Sequence, residues 1–531
     1  MKESIKTMLS KRFPQNTAVG GDGKDKTNAA IRLYGRRLYK DQTPVEYLAE
    51  FLLVFLSPKG NEKEYEKSFM LDESSEPCYW PENRLALKLF SFFPSSKLET
   101  RHSIHQKTYL EALELLRKKI EGSSEEKDET IRILQNLFSG FTGVAKNRTW
   151  VTYSFLPAAE SFVSRELAWK HTQAQKDAAL SNWDSAKQYF SHNGHLFLAR
   201  GGEVLFLQLA HLFSEHATSS DLIAAVKEKK GYEHLTELKV SELQKSLETG
   251  ISALFTGSIQ KIDHLSAFVE ETLSDINRLG EPKDSKLGWI SRATAPEAFL
   301  FACELNNICS SAMSGLDKLE LLQTLCCLHV LRSLCFQAHR VDEVQKSTNG
   351  FVGNYTWIVS NPDSAPGDAD RKLSQASFDR TESTLYRVLR IVNEVYDEGG
   401  AGTELTQADD HGFKIFRKIA KEIGLVIPKT GQGQRFVMTP LIMRVLVAAT
   451  VRPAERIRLT TFYERVFAHF GIALADQQLS QAMTWLSEED ELVDYSVNKD
   501  SLWLEEGLKQ GGFLVELSDA VSMVHNPGSK E

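Results

Sequence analysis

The sequence predicts a mainly α-helical protein, a large multi-helix body followed by a C-terminal winged-helix-like module with a small β-hairpin content. Three observations predict it. Helix-start signals followed by apolar residues at spacings of three and four recur from residue 43 to about 345. The stretch that follows, 351–360, alternates in the manner of a strand. Beyond it, short helical patterns surround a Gly-rich hairpin inside the most basic part of the chain.

Thr43-Pro44-Val45-Glu46 starts the first strong helix, with Thr43 as cap, Pro44 at the first helical position and Glu46 closing a capping box. Ser57-Pro58 ends it. Ser103-x-x-Gln106 opens a second helix with Tyr109, Leu113 and Leu116 on one face. Helices are expected over 128–138, 157–170, 202–216, 221–230, 241–255 and 259–279. Residues 296–313 and 316–338 form the most apolar pair and predict a central helical hairpin. After the strand pattern at 351–360, a helix is expected over 378–396. The Gly-rich, acidic segment 398–410 reads as a linker.

The domain reading is therefore a basic N-terminal segment (1–40), a helical body (41–397, with a possible sub-boundary near 280–290), the linker, a basic module (411–510) and a tail (511–531). In the module, 412–423 reads as a helix ended by Gly424. Val426-Ile427-Pro428 and Arg435-Phe436-Val437-Met438 flank a polar tip, Lys429 to Gln434, as a hairpin would. Pro440 starts a second helix, Thr461-x-x-Glu464 a third that stops at Gly471, and Asp476 a fourth.

Charge distribution supplies the functional expectation. The 531 residues carry 63 Lys+Arg against 71 Asp+Glu. Residues 411–474 nevertheless hold 11 basic and 3 acidic side chains, and residues 1–40 hold 10 and 3. Such concentration suits a phosphate-rich partner. Lys429, Arg435, Arg452, Arg456 and Arg458 are the expected phosphate contacts. Gln432 and Gln434 would reach phosphates or base edges. Arg32, Arg36 and Arg37, beside Tyr34 and Tyr39, would extend the track. Two competing readings stand beside this one: the module docks a protein, or its basic face is merely solvated. The acidic segment 476–506 could also satisfy the basic face internally.

No catalytic residue, metal or cofactor is predicted. Gly20-Gly21-Asp22-Gly23-Lys24 lacks the spacing of a phosphate loop. His192, His195, Glu203, His211 and His216 are a weak metal candidate, since 211 and 216 do not share a helix face well. Gly201-Gly202 at a helix start suits either an anion site or close helix packing. Lys146, Arg148 and Trp150 suit a nucleotide or an ordinary core anchor. Five of the six cysteines lie between 303 and 335 and read as buried reduced thiols. A nuclease with dispersed carboxylates remains the enzymatic alternative. No apolar run is long enough to span a membrane and no secretory h-region follows the basic N-terminus, so a cytoplasmic protein is expected.

Residues 32–52 (RLYGRRLYKDQTPVEYLAEFL), 137–150 (LFSGFTGVAKNRTW), 326–335 (CCLHVLRSLC) and the hairpin region 424–472 resemble, loosely, the large accessory subunits of bacterial multi-gene anti-phage defence islands. The resemblance implies a non-enzymatic subunit acting on foreign DNA beside other proteins of its system, such as an ATPase, helicase or nuclease. It carries no functional residues over to this chain.

Overall fold

The computed structural model describes residues 2–15, 28–35, 38, 42–60, 62–71, 77–82, 84–91, 103–141, 155–165, 168–169, 171–191, 201–214, 217–256, 260–277, 284–342, 352–396, 402–487, 502–518 and 521–526. Over these residues it is mainly helical, 65% helix against 8% strand. The labels below cover the elements that position the candidate site.

Helix α1 (Pro44–Leu56) begins as expected, with the Thr43 backbone N–H donating to Glu46 Oε2 at 2.7 Å. It crosses α2 (Gly201–Phe213) at close range. A Cβ on Gly202 would lie 2.4 Å from the Phe51 backbone nitrogen, and one on Gly201 would lie 2.1 Å from the Tyr47 ring. Of the two readings of this glycine pair, close packing is the one observed. The Gly202 N–H is already taken by Glu50 Oε2 at 3.1 Å.

The expected central hairpin is formed by α3 (Ala295–Cys309) and α4 (Gly315–Val341). Glu297 pairs with Arg340 and Glu304 with Arg332, so partners advance in opposite directions along two antiparallel helices. Helix α4 is long and apolar enough to cross a membrane, but 83% of its most apolar window is buried inside the protein. All six cysteines are free and buried, and burial pushes the thiols of Cys303, Cys326 and Cys335 far up.

Two of these expectations need correction, and the N-terminal segment gains detail. Residues 157–170 do not form a helix: the described part holds only a short turn, Glu160–Phe162, and a strand, Ala168–Trp169. Phe162 goes instead to a cluster, stacked on Phe155 at 4.8 Å and edge-on to Phe138. The backbone N–H of Ser161 donates to Asp263 Oδ1 rather than to a helical carbonyl. Within the expected linker, Gly402–Asp410 is a helix, tied to the body by an Arg390–Asp409 ion pair at 2.7 Å. The N-terminal basic segment includes two helices, Lys2–Ser10 and Ala29–Tyr34, that bury Ile5, Leu9, Leu33 and Tyr34 in the common core.

The strand pattern at 351–360 yields β1 (Trp357–Ile358), followed by helix α5 (Ala369–Val395), which starts nine residues before the expected 378. Next come α6 (Phe413–Glu422), β2 (Val426–Ile427), β3 (Arg435–Phe436) and α7 (Pro440–Thr450). Gly424, with φ at +76°, ends α6 where an L side chain would be strained. Phe436 of β3 stacks on Trp357 at 5.5 Å and meets Phe378 edge-on at 5.3 Å. Helices α6 and α7 both pack on α4, so this part of the basic module shares the core of the body.

The chain closes with β4 (Arg456–Arg458), α8 (Leu459–Phe470), β5 (Ile472–Ala473), α9 (Asp476–Ser487), α10 (Leu502–Gln510), β6 (Leu514–Ser518) and β7 (Val521–His525). Strands β4, β7 and β6 form one antiparallel sheet in that order, while β5 pairs parallel with β1. Helix α8 starts at Leu459, so Thr461 lies inside its first turn and no Thr461–Glu464 capping box forms.

Candidate nucleic-acid interface

The structure separates the predicted contacts into three places. The first is the β2–β3 turn. Lys429 and Gln432 are exposed there, Gly431 and Gly433 hold positive φ, and Gln434 Nε2 donates back to the Gly431 carbonyl at 3.1 Å. Arg435 does not belong to an interface. It is 3% exposed, with Nη2 donating to the Pro362 carbonyl at 2.8 Å and Nε to Ser360 Oγ at 3.3 Å. Burial lowers its pKa from the usual arginine value. Strand alternation turns this side chain toward the segment preceding α5, and a charge committed there cannot also meet a phosphate.

The second place is the far end of α5. Arg32 lies over the Tyr396 ring at 4.1 Å, whereas the hairpin meets α5 at Phe378. Eighteen residues of helix put these points about 27 Å apart. Arg36 and Arg37 lie outside the described residues.

The third place unites Arg452, Arg456 and Arg458. All three are exposed. Arg456 and Arg458 stand on the free edge of the three-stranded sheet, flanking buried Ile457, and sit opposite His525 and Met523. Arg452 donates through Nη2 to the His234 carbonyl, which holds one side of its guanidinium against the body. The nearest acid in sequence, Glu455, is occupied by Arg465 at 2.7 and 2.8 Å. Three exposed arginines fall within seven residues. Helix α7 separates them from the hairpin by its length of 11 residues, about 16 Å.

Of the other sequence candidates, His192, His195, His216, Lys146, Arg148 and Trp150 lie outside the described residues. Glu203 accepts from the Tyr79 hydroxyl at 3.1 Å, and His211 Nε2 contacts the Arg292 carbonyl at 2.9 Å. Among the described residues no group of three His, Cys, Asp or Glu is placed to hold a metal ion.

Sequence reasoning missed a buried polar chain that joins α2, α3, α4 and α8. Both Glu304 oxygens bind Arg332, which also donates to the His469 carbonyl at 2.7 Å. Arg332 Nε donates to His329 Nδ1 at 3.2 Å, so His329 carries its proton on Nε2 and gives it to Gln208 Oε1 at 2.7 Å. Gln208 in turn donates to Ser333 Oγ at 2.7 Å. On the other side His469 Nδ1–H donates to Glu304 Oε1 at 2.8 Å, leaving its Nε2 to accept from His234 at 3.0 Å. Burial, then the neighbouring His469, holds His234 down to about 2, so it is neutral. Every group already has its partner, which makes the chain a structural tie rather than a reactive centre. The sequence signal was a Glu and a His–x–x–Arg set among apolar residues in the middle of two largely buried helices.

No family model, no curated protein and no solved structure matches this chain.

Proposed function

We propose that the chain is a non-enzymatic, DNA-binding or scaffolding subunit of a multi-protein bacterial complex, and that residues 440–526 are a winged-helix-like module. The support is the run helix, strand, helix, short strand, helix, helix, strand, strand from α7 to β7, with the first strand beside the last in one sheet and the short strand β5 paired elsewhere, with β1. In this reading the wing is the β6–β7 hairpin, and not the turn at 429–434.

The observation that carries DNA contact is the edge-strand cluster of Arg452, Arg456 and Arg458. Such groups neutralise backbone phosphates without reading sequence. The acidic body would meet partner proteins, an ATPase, helicase or nuclease in the cytoplasmic defence setting that the resemblance implies. Fluorescence anisotropy with a labelled duplex tests the assignment. The double variant Arg456→Glu/Arg458→Glu is expected to lose binding while its melting temperature stays at the wild-type value. Wild-type affinity in that variant would refute it.

One observation favours a second reading, a protein-docking adaptor. Helix α10, which such a module would offer to the major groove, carries Glu505 and Glu506 against Lys509. Leu502 beside it is 67% exposed, and Leu517 on β6 is 64% exposed. An acidic and apolar face repels phosphate and suits a protein. The adaptor reading predicts tight co-purification with a neighbouring gene product and no measurable DNA affinity.

A further inference from the structure

Three arginines gather where the N-terminal segment joins the body. Strand Arg12–Phe13 pairs antiparallel with strand Ile290–Ser291, with Arg12 opposite Ser291. Arg12 thus shares a face of the pair with Ser291 and reaches the Trp289 ring, over which its guanidinium lies at 4.5 Å. Helix Ala29–Tyr34 ends against the same backbone. Gly35 there has φ at +89°, and a Cβ on it would lie 2.1 Å from the Trp289 carbonyl oxygen. Arg32, on the last turn of that helix, lies over the Tyr396 ring at 4.1 Å. Arg292 follows the second strand, and its Nε donates to the Arg12 carbonyl at 3.0 Å.

Two observations point to an anion. The first is a surplus of donors. Arg12 Nε and Arg292 Nη2 are both closed off from solvent without an acceptor, and neither side chain pairs with a carboxylate among the described residues. A buried guanidinium N–H without an acceptor is costly, and an oxyanion supplies that acceptor. The second is the charge around Arg12. Burial, above all, lowers its pKa from the usual arginine value; the Tyr396 phenol opposes that shift and the Arg32 guanidinium adds to it, and no carboxylate acts on it. Like charges held this close to each other are stabilised by an anion shared between them.

We propose that Arg12, Arg32 and Arg292 bind the terminal phosphate group of a small phosphorylated ligand. The planar guanidinium fork matches phosphate oxygens. A phosphate monoester carries a charge of about −1.5 to −2 near pH 7, more than a carboxylate or a backbone phosphodiester, so several cations about one point favour it. The inference is independent of DNA binding by Arg452, Arg456 and Arg458.

Calorimetry on the full chain, with methyl phosphate as probe, tests it. The expected Kd is millimolar or tighter, with dimethyl phosphate and acetate each bound about tenfold more weakly or worse. Arg12→Gln weakens methyl phosphate binding by about tenfold or more and leaves duplex DNA affinity at the wild-type value. Arg12→Lys keeps a cation over Trp289 but lacks the fork, and weakens binding by a similar factor with an unaltered melting curve. No binding at about 10 mM methyl phosphate, equal affinity for the diester, or an unchanged Kd in both variants overturns the proposal. So does a parallel loss of duplex affinity in Arg12→Gln, which would assign these arginines to a DNA interface instead.

Discussion

Both oxygens of Glu304 hold the Arg332 guanidinium, at 2.7 and 2.9 Å, at a point where neither side chain reaches solvent. The pair joins the two helices of the central hairpin. Through the His469 carbonyl and ring it also fixes the end of α8.

Breaking one partner of such a pair strands a buried charge. Glu304→Leu is therefore expected to destabilise the protein by about 3–5 kcal/mol in urea unfolding. The double variant Glu304→Leu/Arg332→Met removes both charges and should recover most of that loss. A single variant of wild-type stability would contradict the assignment.

Arg435 separates the structural from the sequence-based account of the basic module. Arg435→Ala leaves the Pro362 carbonyl without its donor. It should cost about 1–3 kcal/mol of stability and leave DNA affinity unchanged, read by thermal unfolding and by anisotropy. The reverse pattern would restore Arg435 to the interface.

Glu270 gives the protein a defined pH response. Burial raises its pKa to about 7, and its Oε2 has no partner, while Oε1 accepts from the Leu87 N–H at 3.0 Å. The folded state holds this proton more tightly than the unfolded chain, whose carboxyl titrates near its ordinary value of 4.5. The stabilisation is thus complete below about pH 4.5 and lost as pH rises through about 7. Glu270→Gln should be more stable than the wild type at pH 8, by roughly 1–3 kcal/mol, with the gap closing toward pH 4.5. Equal stability of the two at pH 8 would contradict this.

Much of the architecture was legible because helices announce themselves locally. The Thr43–Glu46 box, the Gly424 and Gly471 stops and the apolar pair around 296–338 all appear at the expected places. The site was less legible because charge counts do not report which way a side chain turns. Arg435 and Arg456 look alike in sequence, yet one is buried beside Pro362 and the other is exposed on a sheet edge. The strands of that sheet escaped notice because β6 and β7 lie in the segment read as a tail, and β7 pairs with a three-residue strand some sixty residues earlier. Such pairing is long-range, and local periodicity does not register it.

The central claim is most directly tested by the salt dependence of duplex binding, compared between the wild type and Arg452→Glu/Arg456→Glu/Arg458→Glu. Loss of three phosphate contacts should flatten the slope of log K against log [salt] by about 2.7, at roughly 0.9 per contact. The account predicts that change in a variant whose melting curve is unaltered. An unchanged slope and affinity in the folded triple variant would contradict it.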